Sequence, residues 1–142
     1  MCGINGIINQ TKDSEEQLKN HIGQMNDLIL HRGPDDDGIF FHSDDSFSVV
    51  MGMRRLSIID EVILKLYETQ GVESFKKLDG MFAFSIYDKN LNKLFIARDF
   101  FGEKPLYYTK HNNQFIWGSE LKSIIKLVKK LPKISTKGLN LY

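Results

Sequence analysis

The sequence contains a single cysteine, so no disulfide can close within the chain. It also lacks a secretory start: the opening Met-Cys-Gly-Ile-Asn-Gly-Ile-Ile-Asn-Gln has neither a basic segment nor a long apolar stretch. Together these absences favour the cytoplasm. No run of about 18 apolar residues occurs, so no segment reads as a membrane-spanning helix. An excess of charge of one sign is missing too. Lys+Arg total 19 and Asp+Glu 18, which leaves no overall field to recruit nucleic acid or an anionic membrane. His21, His31, His42 and His111 are scattered without metal-ligand spacing, and no glycine-rich phosphate-binding motif is present. There is no internal repeat and no low-complexity segment. The expectation is a protein with no metal and no nucleotide cofactor of its own.

What the sequence does hold is ordinary in bulk. Its 142 residues suffice for one domain with its own core. A hydrophobic share of 42% and a charged share of 26% are usual for a soluble globular chain. The one local bias is the C-terminal stretch. After Glu120 no acid follows, while Lys122, Lys126, Lys129, Lys130, Lys133 and Lys137 do. A solvated helix face or linker is the bland reading, and an anion site the alternative.

Periodicity gives a coarse map. Residues 3–8 read as a short apolar strand. Ser14 and Gln17 form a capping-box pair, and Leu18, Ile22, Met25 and Ile29 then recur at helical spacing, predicting a helix over about 15–30. Residues 31–38 are rich in Gly, Pro and Asp and read as a loop. Strands follow near 38–42 and 47–53 around a turn at Ser43-Asp44-Asp45, and 56–59 resembles another. A helix begins at once after Asp60 with Gly71 as its C-cap, an abrupt junction, since connections normally take a few residues. Met81 to Tyr87 reads as a strand buried on both faces. It turns at Asp88-Lys89-Asn90 into a strand over 93–97. Strands at 106–109 and 115–117 flank an Asn112-Asn113 turn. Ser119 is expected to cap a last helix whose apolar face is Leu121, Ile124, Ile125, Val128 and Leu131. Antiparallel strands with helices before and after predict a layered α+β domain.

Cys2 is the residue with the most chemistry. A thiol attacks a carbonyl as thiolate, and its ordinary pKa is about 8.5. Removal of Met1 would give Cys2 a free α-amine with a pKa of about 8. Nucleophile and base would then share one residue, an arrangement known for N-terminal threonine and open to cysteine. Gly3 would leave room for a substrate beside the thiol. The bland alternative is a small residue behind the initiator methionine. Arg54 and Arg55, taken alone, read as a surface pair.

Six motifs in order sharpen this. They are Met-Cys-Gly-Ile-x-Gly, His31-Arg32-Gly33-Pro34-Asp35, Arg55-Leu56-Ser57-Ile58-Ile59-Asp60, Leu78-Asp79-Gly80-Met81-Phe82-Ala83-Phe84, Arg98-Asp99-Phe100-Phe101-Gly102-Glu103-Lys104-Pro105-Leu106-Tyr107-Tyr108 and Gly118-Ser119-Glu120-Leu121-Lys122. The set resembles the class II glutamine amidotransferases, most closely the N-terminal domain of glutamine-hydrolysing asparagine synthetases, over nearly the whole chain. The resemblance implies an N-terminal-nucleophile hydrolase fold, a four-layer αββα sandwich. It implies Cys2 as nucleophile and Arg55 as the group that takes the glutamine carboxylate in a bidentate pair. The backbone of Leu56, Ile58 and Ile59 would line the substrate pocket. Arg32 and Asp35 would order the neighbouring loop, and Arg98 with Asp99 would form an ion pair holding the 102–105 turn. Met53 stands where the family usually has His, and Phe100 where it often has Arg.

The resemblance has a gap. The family carries a few dozen residues between those matching Asp60 and Glu61, including a Phe-Asn-Gly-Glu-type motif and a Ser-Asp pair. There the oxyanion hole and the anchor for the substrate amine reside, and this chain has no residue to match them. The stretch also supplies sheet strands. Residues 1–137 are expected to be the amidotransferase domain and 138–142 the start of a linker to a synthetase domain, to which ATP and Mg would belong. The functional expectation is glutamine hydrolysis feeding asparagine synthesis, with glutamine and possibly a synthetase domain or subunit as partners. The alternative is an inactive remnant that only binds or packs.

Overall fold

The computed structural model describes residues 2–11, 13–55 and 60–129, with backbone only at 60 and 61. Leu56, Ile58 and Ile59, the expected 56–59 strand, Met1, Leu131 and the linker start at 138–142 lie outside the described residues. Within them the elements run β1 (Gly3–Asn9), α1 (Glu15–Leu28), β2 (Asp36–Ser43), β3 (Ser48–Arg55), α2 (Asp60–Gln70), β4 (Ala83–Asp88), β5 (Lys93–Arg98), β6 (Tyr107–His111), β7 (Gln114–Gly118) and α3 (Leu121–Val128). This is a mixed α/β protein with antiparallel sheets. Five strands form one sheet in the order β2-β3-β1-β7-β6, and β4 and β5 form a separate hairpin.

Local chemistry accounts for most boundaries. Ser14 accepts the backbone N–H of Gln17 while the Gln17 side chain accepts that of Ser14, so the capping box starts α1 as expected. The helix stops at Leu28, short of residue 30, and a 3₁₀ turn, Leu30–Arg32, carries the chain to Gly33. Asn112 and Asn113 take φ of 47° and 60°, the left-handed pair that a two-residue hairpin between β6 and β7 demands. Gly71 takes φ 66° and ends α2, after which a 3₁₀ stretch, Gly71–Lys77, leads toward β4. Asp60 and Glu61 are consecutive residues of α2.

Three expectations fail here. β4 is not buried on both faces: Phe84 and Ile86 are buried, while Ser85 and Tyr87 between them are half-buried. Alternation of this kind marks a strand between unlike layers. Ser119 does not cap α3. Its hydroxyl is taken by the Ile4 N–H, and Glu120 holds the N-cap position without a side-chain bond. Leu121 is exposed and not part of the apolar face.

Helices α1 and α3 cover one face of the five-stranded sheet. Leu18, Ile22 and Met25 of α1 and Ile124 of α3 close the core over Ile7, Val50 and Ile116. Asn5 of β1 joins both helices below that core. Its amide donates to Asn26 Oδ1 at 3.2 Å, and its carbonyl oxygen accepts from Ser123 Oγ at 2.9 Å. Buried polar groups need such partners, and pairing them fixes how the helices sit. On the sheet's other face, Tyr87 of β4 meets the rings of Phe40 and His42 of β2 and Phe47, and Ser85 reaches Met51. The far side of the hairpin packs on α2 and its 3₁₀ extension through Tyr67, Phe75, Phe84 and Phe95.

Gly6 illustrates how tightly the sheet is built. A Cβ placed there would lie 2.0 Å from the Trp117 ring, which occupies the facing strand position. Gly6→Ala should therefore lower the urea midpoint and cost about 1–3 kcal/mol through forced repacking. A midpoint equal to wild type would show that the ring does not lie over Gly6.

Candidate active site

Strand pairing brings the two principal candidates together. Gly3 of β1 pairs with Arg54 of β3 in antiparallel register. The pairing ends there; Cys2 precedes Gly3 and Arg55 follows Arg54, so the same register carried one step further would set Cys2 across from Arg55. Directly opposed residues on one face have Cβ atoms roughly 4.5–5.5 Å apart. Side chains alternate along a strand, so this pair shares the face of Met53, toward the hairpin. Arg54 points the other way, its guanidinium donating to Asn26 O and pairing with Asp27 at 3.3 Å. Arg54 and Arg55 are thus on opposite faces of the sheet and not a surface pair.

Cys2 is half-buried and lines a cavity of about 340 Å³ between the five-stranded sheet and β4. Its backbone is fixed from several sides. Arg32 Nε donates to the Cys2 carbonyl at 3.3 Å. The next residue but one, Ile4, donates its N–H to Ser119 Oγ at 2.9 Å and accepts the Ser119 N–H at 2.8 Å. Gly33 lets the 31–35 loop close on the end of β3, where an added Cβ would stand 2.5 Å from the Arg54 carbonyl carbon and the Arg55 nitrogen. Gly3 serves a different purpose from the one expected. A Cβ there would meet Ile29 at 2.8 Å and Arg32 at 3.2 Å, so the glycine makes room for the helix side of the sheet and not for a substrate.

Glu120 ties this frame together, and the sequence reading assigned it no role. Its Oε1 lies 2.7 Å from His31 Nε2 and 3.3 Å from Arg32 Nη1, and its Oε2 lies 2.9 Å from Lys122 Nζ. Burial opposes ionisation of Glu120, but the contacts with Lys122, His31 and Arg32 outweigh it, and the carboxyl sits below its ordinary range. The available signal was its place as the last acid before a run of lysines.

The other candidates divide. Arg32 is nearly enclosed, with 11% of its side chain exposed, and braces Cys2 as described. Asp35 is exposed in the bend before β2. The expected Arg98–Asp99 ion pair does not form: among the described residues no salt bridge joins them. The buried Asp99 carboxylate instead accepts the backbone N–H of Glu103 at 2.8 Å and of Lys104 at 2.9 Å. These N–H groups, that of Lys104 foremost, hold its carboxyl below the usual range against the opposing effect of burial. The turn is held by Asp99 alone, and the Arg98 guanidinium lies across Gly102, whose φ is 70°.

Comparison with known sequences matches this geometry to a family. The family described as "Glutamine amidotransferase domain" matches over residues 1–61 and again over 60–142. The chain belongs to this glutamine amidotransferase domain family. Asparagine synthetase (glutamine-hydrolysing) 1 of Bacillus subtilis is 38% identical over 176 positions, covering 88% of this chain and 27% of that protein. Asparagine synthetase B (glutamine-hydrolysing) of Escherichia coli is 28% identical, covering 93% of this chain and 32% of its own length. An asparagine-synthetase relative from Methanocaldococcus jannaschii is 33% identical and aligns with the whole chain. The chain spans 39% of that relative, and less of the other two.

The same comparisons locate a gap. The alignment with the Methanocaldococcus protein runs over 202 positions and takes in all 142 residues, so 60 positions have no residue in this chain. The two family matches meet at Asp60–Glu61, the junction that the motif order marked as incomplete.

The Glu120 cluster gives a pH-dependent prediction. A carboxyl held below its unfolded value contributes stability above that value and loses it as pH falls through the folded one. Glu120→Gln should lower stability by roughly 1–2 kcal/mol at neutral pH, with the two proteins converging in acid. Thermal unfolding at a series of pH values reads this out. A constant difference down to the acid limit would remove the charge contacts as its cause.

Proposed function

We propose that this domain hydrolyses the side-chain amide of glutamine, with Cys2 as an N-terminal nucleophile and Arg55 as the partner of the substrate carboxylate. The observation that supports the reading is the strand register that ends with Gly3 opposite Arg54, which brings Cys2, on the wall of a cavity, to the end of β3 where Arg55 lies. The packing order of helices, sheet, hairpin and helix is in keeping with a four-layer N-terminal-nucleophile hydrolase sandwich that is short of strands on the hairpin side.

With Met1 removed, the Cys2 α-amine accepts the thiol proton, and Sγ attacks the side-chain carbonyl carbon of glutamine. The tetrahedral oxyanion collapses as the C–N bond breaks, and the α-ammonium returns its proton to the leaving nitrogen. Ammonia departs and a thioester remains. Water then attacks the thioester carbonyl, the C–S bond breaks, and glutamate leaves as the thiol regains its proton. Arg55 holds the amino acid in place through two charge-assisted bonds. Arg32, Ser119 and Glu120 hold the main chain that carries the nucleophile and are positioning residues.

The ammonia would serve asparagine synthesis on a synthetase domain or subunit, where ATP and Mg act. Free glutamine as substrate fits a cytoplasmic protein, and among the described residues no helix is long and apolar enough to cross a membrane. The missing segment limits the rate. Each absent oxyanion donor costs roughly 10²–10³ in turnover, so hydrolysis should be slow beside complete relatives.

Glutamate release by the purified chain should be measurable and should vanish in Cys2→Ala. Arg55→Ala should raise KM for glutamine about 100-fold with a smaller effect on kcat, as expected for a lost charge-assisted pair. Intact mass should show Met1 removed. Equal glutamate release by wild type and Cys2→Ala would leave the inactive remnant as the better reading.

A further inference from the structure

We propose that the cavity beside Cys2 is a binding site for a straight saturated acyl chain, taken up as a neutral amide whose head lies at the Cys2 end. This goes beyond the glutamine reaction and does not require Cys2 to react. The cavity measures about 340 Å³, within the range of small-molecule sites, ~300–1,000 Å³. Its walls are Phe40, Met51 and Met53 of the five-stranded sheet, Ile63 of α2, and Ala83 and Phe84 of β4.

The chemistry of the lining selects the ligand. Of the side chains around the cavity, only those of Cys2, Arg54 and Ser85 carry a thiol, a charge or a hydroxyl. Arg54 is turned to the helix side, where Asn26 and Asp27 engage it. The Ser85 hydroxyl lies against Met51 Sδ at 3.9 Å. Among the described residues of the lining, no charged group faces the interior. A charged ligand group placed there would lose its hydration without gaining a partner, a cost that an apolar group does not meet. Apolar surface gains by leaving water, and the unbranched thioethers of Met51 and Met53 adapt to what they cover.

Shape narrows the class. Met53 pairs with Ile4 and Met51 with Gly6, so the wall advances from Cys2 along one face of the sheet. From Cys2 to Gly6, across from Met51, the strand advances roughly 13 Å. Ala83 to Ile86 of β4 border the other side without interruption. The space is an elongated slot with the thiol at one end and apolar walls beyond it. At the ~30 Å³ that a water takes in the liquid, it has room for roughly ten non-hydrogen atoms. Octanamide matches both measures. The wall at Met51 has no role in the binding of glutamine proposed above.

Cys2 is the only cysteine in the chain, so its alkylation by iodoacetamide reports on the slot directly. Saturating octanamide should slow that alkylation roughly tenfold or more, because a bound head group shields the thiol. Hexanamide should need about a fifteenfold higher concentration for equal protection, the effect of leaving two methylenes in water, and acetamide should give none. Ala83→Phe, which fills the slot, and Ser85→Asp, which charges it, should each weaken protection by octanamide roughly tenfold or more. Circular dichroism checks that each variant is folded, either folded variant suffices, and the chain-length series on the wild type stands without them. The proposal is overturned by no protection from octanamide, by equal protection from acetamide, or by protection undiminished in a folded variant. A thiol that iodoacetamide does not reach in the free chain also overturns it, since the slot is then closed. Protection by octanamide without glutamate release leaves this inference standing and counts against the Cys2 reaction with glutamine. Glutamate release without such protection does the reverse.

Discussion

The structure depends on holding still a part of the chain that normally frays. Terminal residues are usually the least ordered of a domain, yet the role proposed for Cys2 requires it to keep its place to within a fraction of an ångström. The solution is to make the first strand a central one. β1 is paired along both edges, with β3 over Gly3–Asn9 and with β7 over residues 5–9. The five-stranded sheet therefore cannot open at β1 without breaking two ladders. Because register in a sheet also fixes face, the ladder that anchors Gly3 opposite Arg54 directs Cys2 toward the end of β3 that carries Arg55. Position and partner come from one constraint.

Beyond the last paired residue the ladder gives way to side chains, and the motifs separated by most of the sequence meet there. His31-Arg32-Gly33 and Gly118-Ser119-Glu120 lie far apart in the chain, but Glu120 bridges them through His31 and Arg32. Ser119 and Arg32 in turn grip the backbone of Ile4 and Cys2. Lys122, His31 and Arg32 around one carboxylate keep it ionised and tie the loop to it. An exposed pair would contribute little. Here Arg32 and Glu120 are both largely enclosed, so their contact is screened less by solvent. A residue two steps from the chemistry can thus govern the nucleophile's position without touching substrate.

How far the sequence foretold this differs by type of interaction. Local signals were legible: the Ser14–Gln17 box and the Asn112-Asn113 turn act over a few residues and need no tertiary context. The mixed α/β class and the family were legible through motif order, since six motifs in sequence are far more specific than one. What was not legible depends on competition among distant partners. Ser119 reads as a helix cap, but its hydroxyl is claimed by the Ile4 N–H on a strand over a hundred positions away. Asp99 reads as the partner of its neighbour Arg98. Adjacent side chains on a strand end diverge, however, and the nearby N–H groups of the turn offer better geometry. Gly3 reads as space for substrate, because sequence cannot say which face of the sheet a missing Cβ would have occupied.

The shortened chain shows which parts of the design are separable. The helix-covered face of the large sheet is closed: Ile7, Val50 and Ile116 are fully buried beneath α1 and α3. That half contains β1, its two neighbours and the Glu120 cluster, so the described contacts that hold the Cys2 backbone sit on the side that is covered. The loss falls on the other side, where two strands face five and a cavity opens along β4. On the proposed reading, the carboxylate contact and the placement of Cys2 belong to the first half, whereas the oxyanion and amine contacts that the resemblance implies belong to the unmatched segment. By the resemblance, the unmatched segment would hold both the oxyanion and the substrate amine, so a chain of this kind should lose affinity as well as turnover.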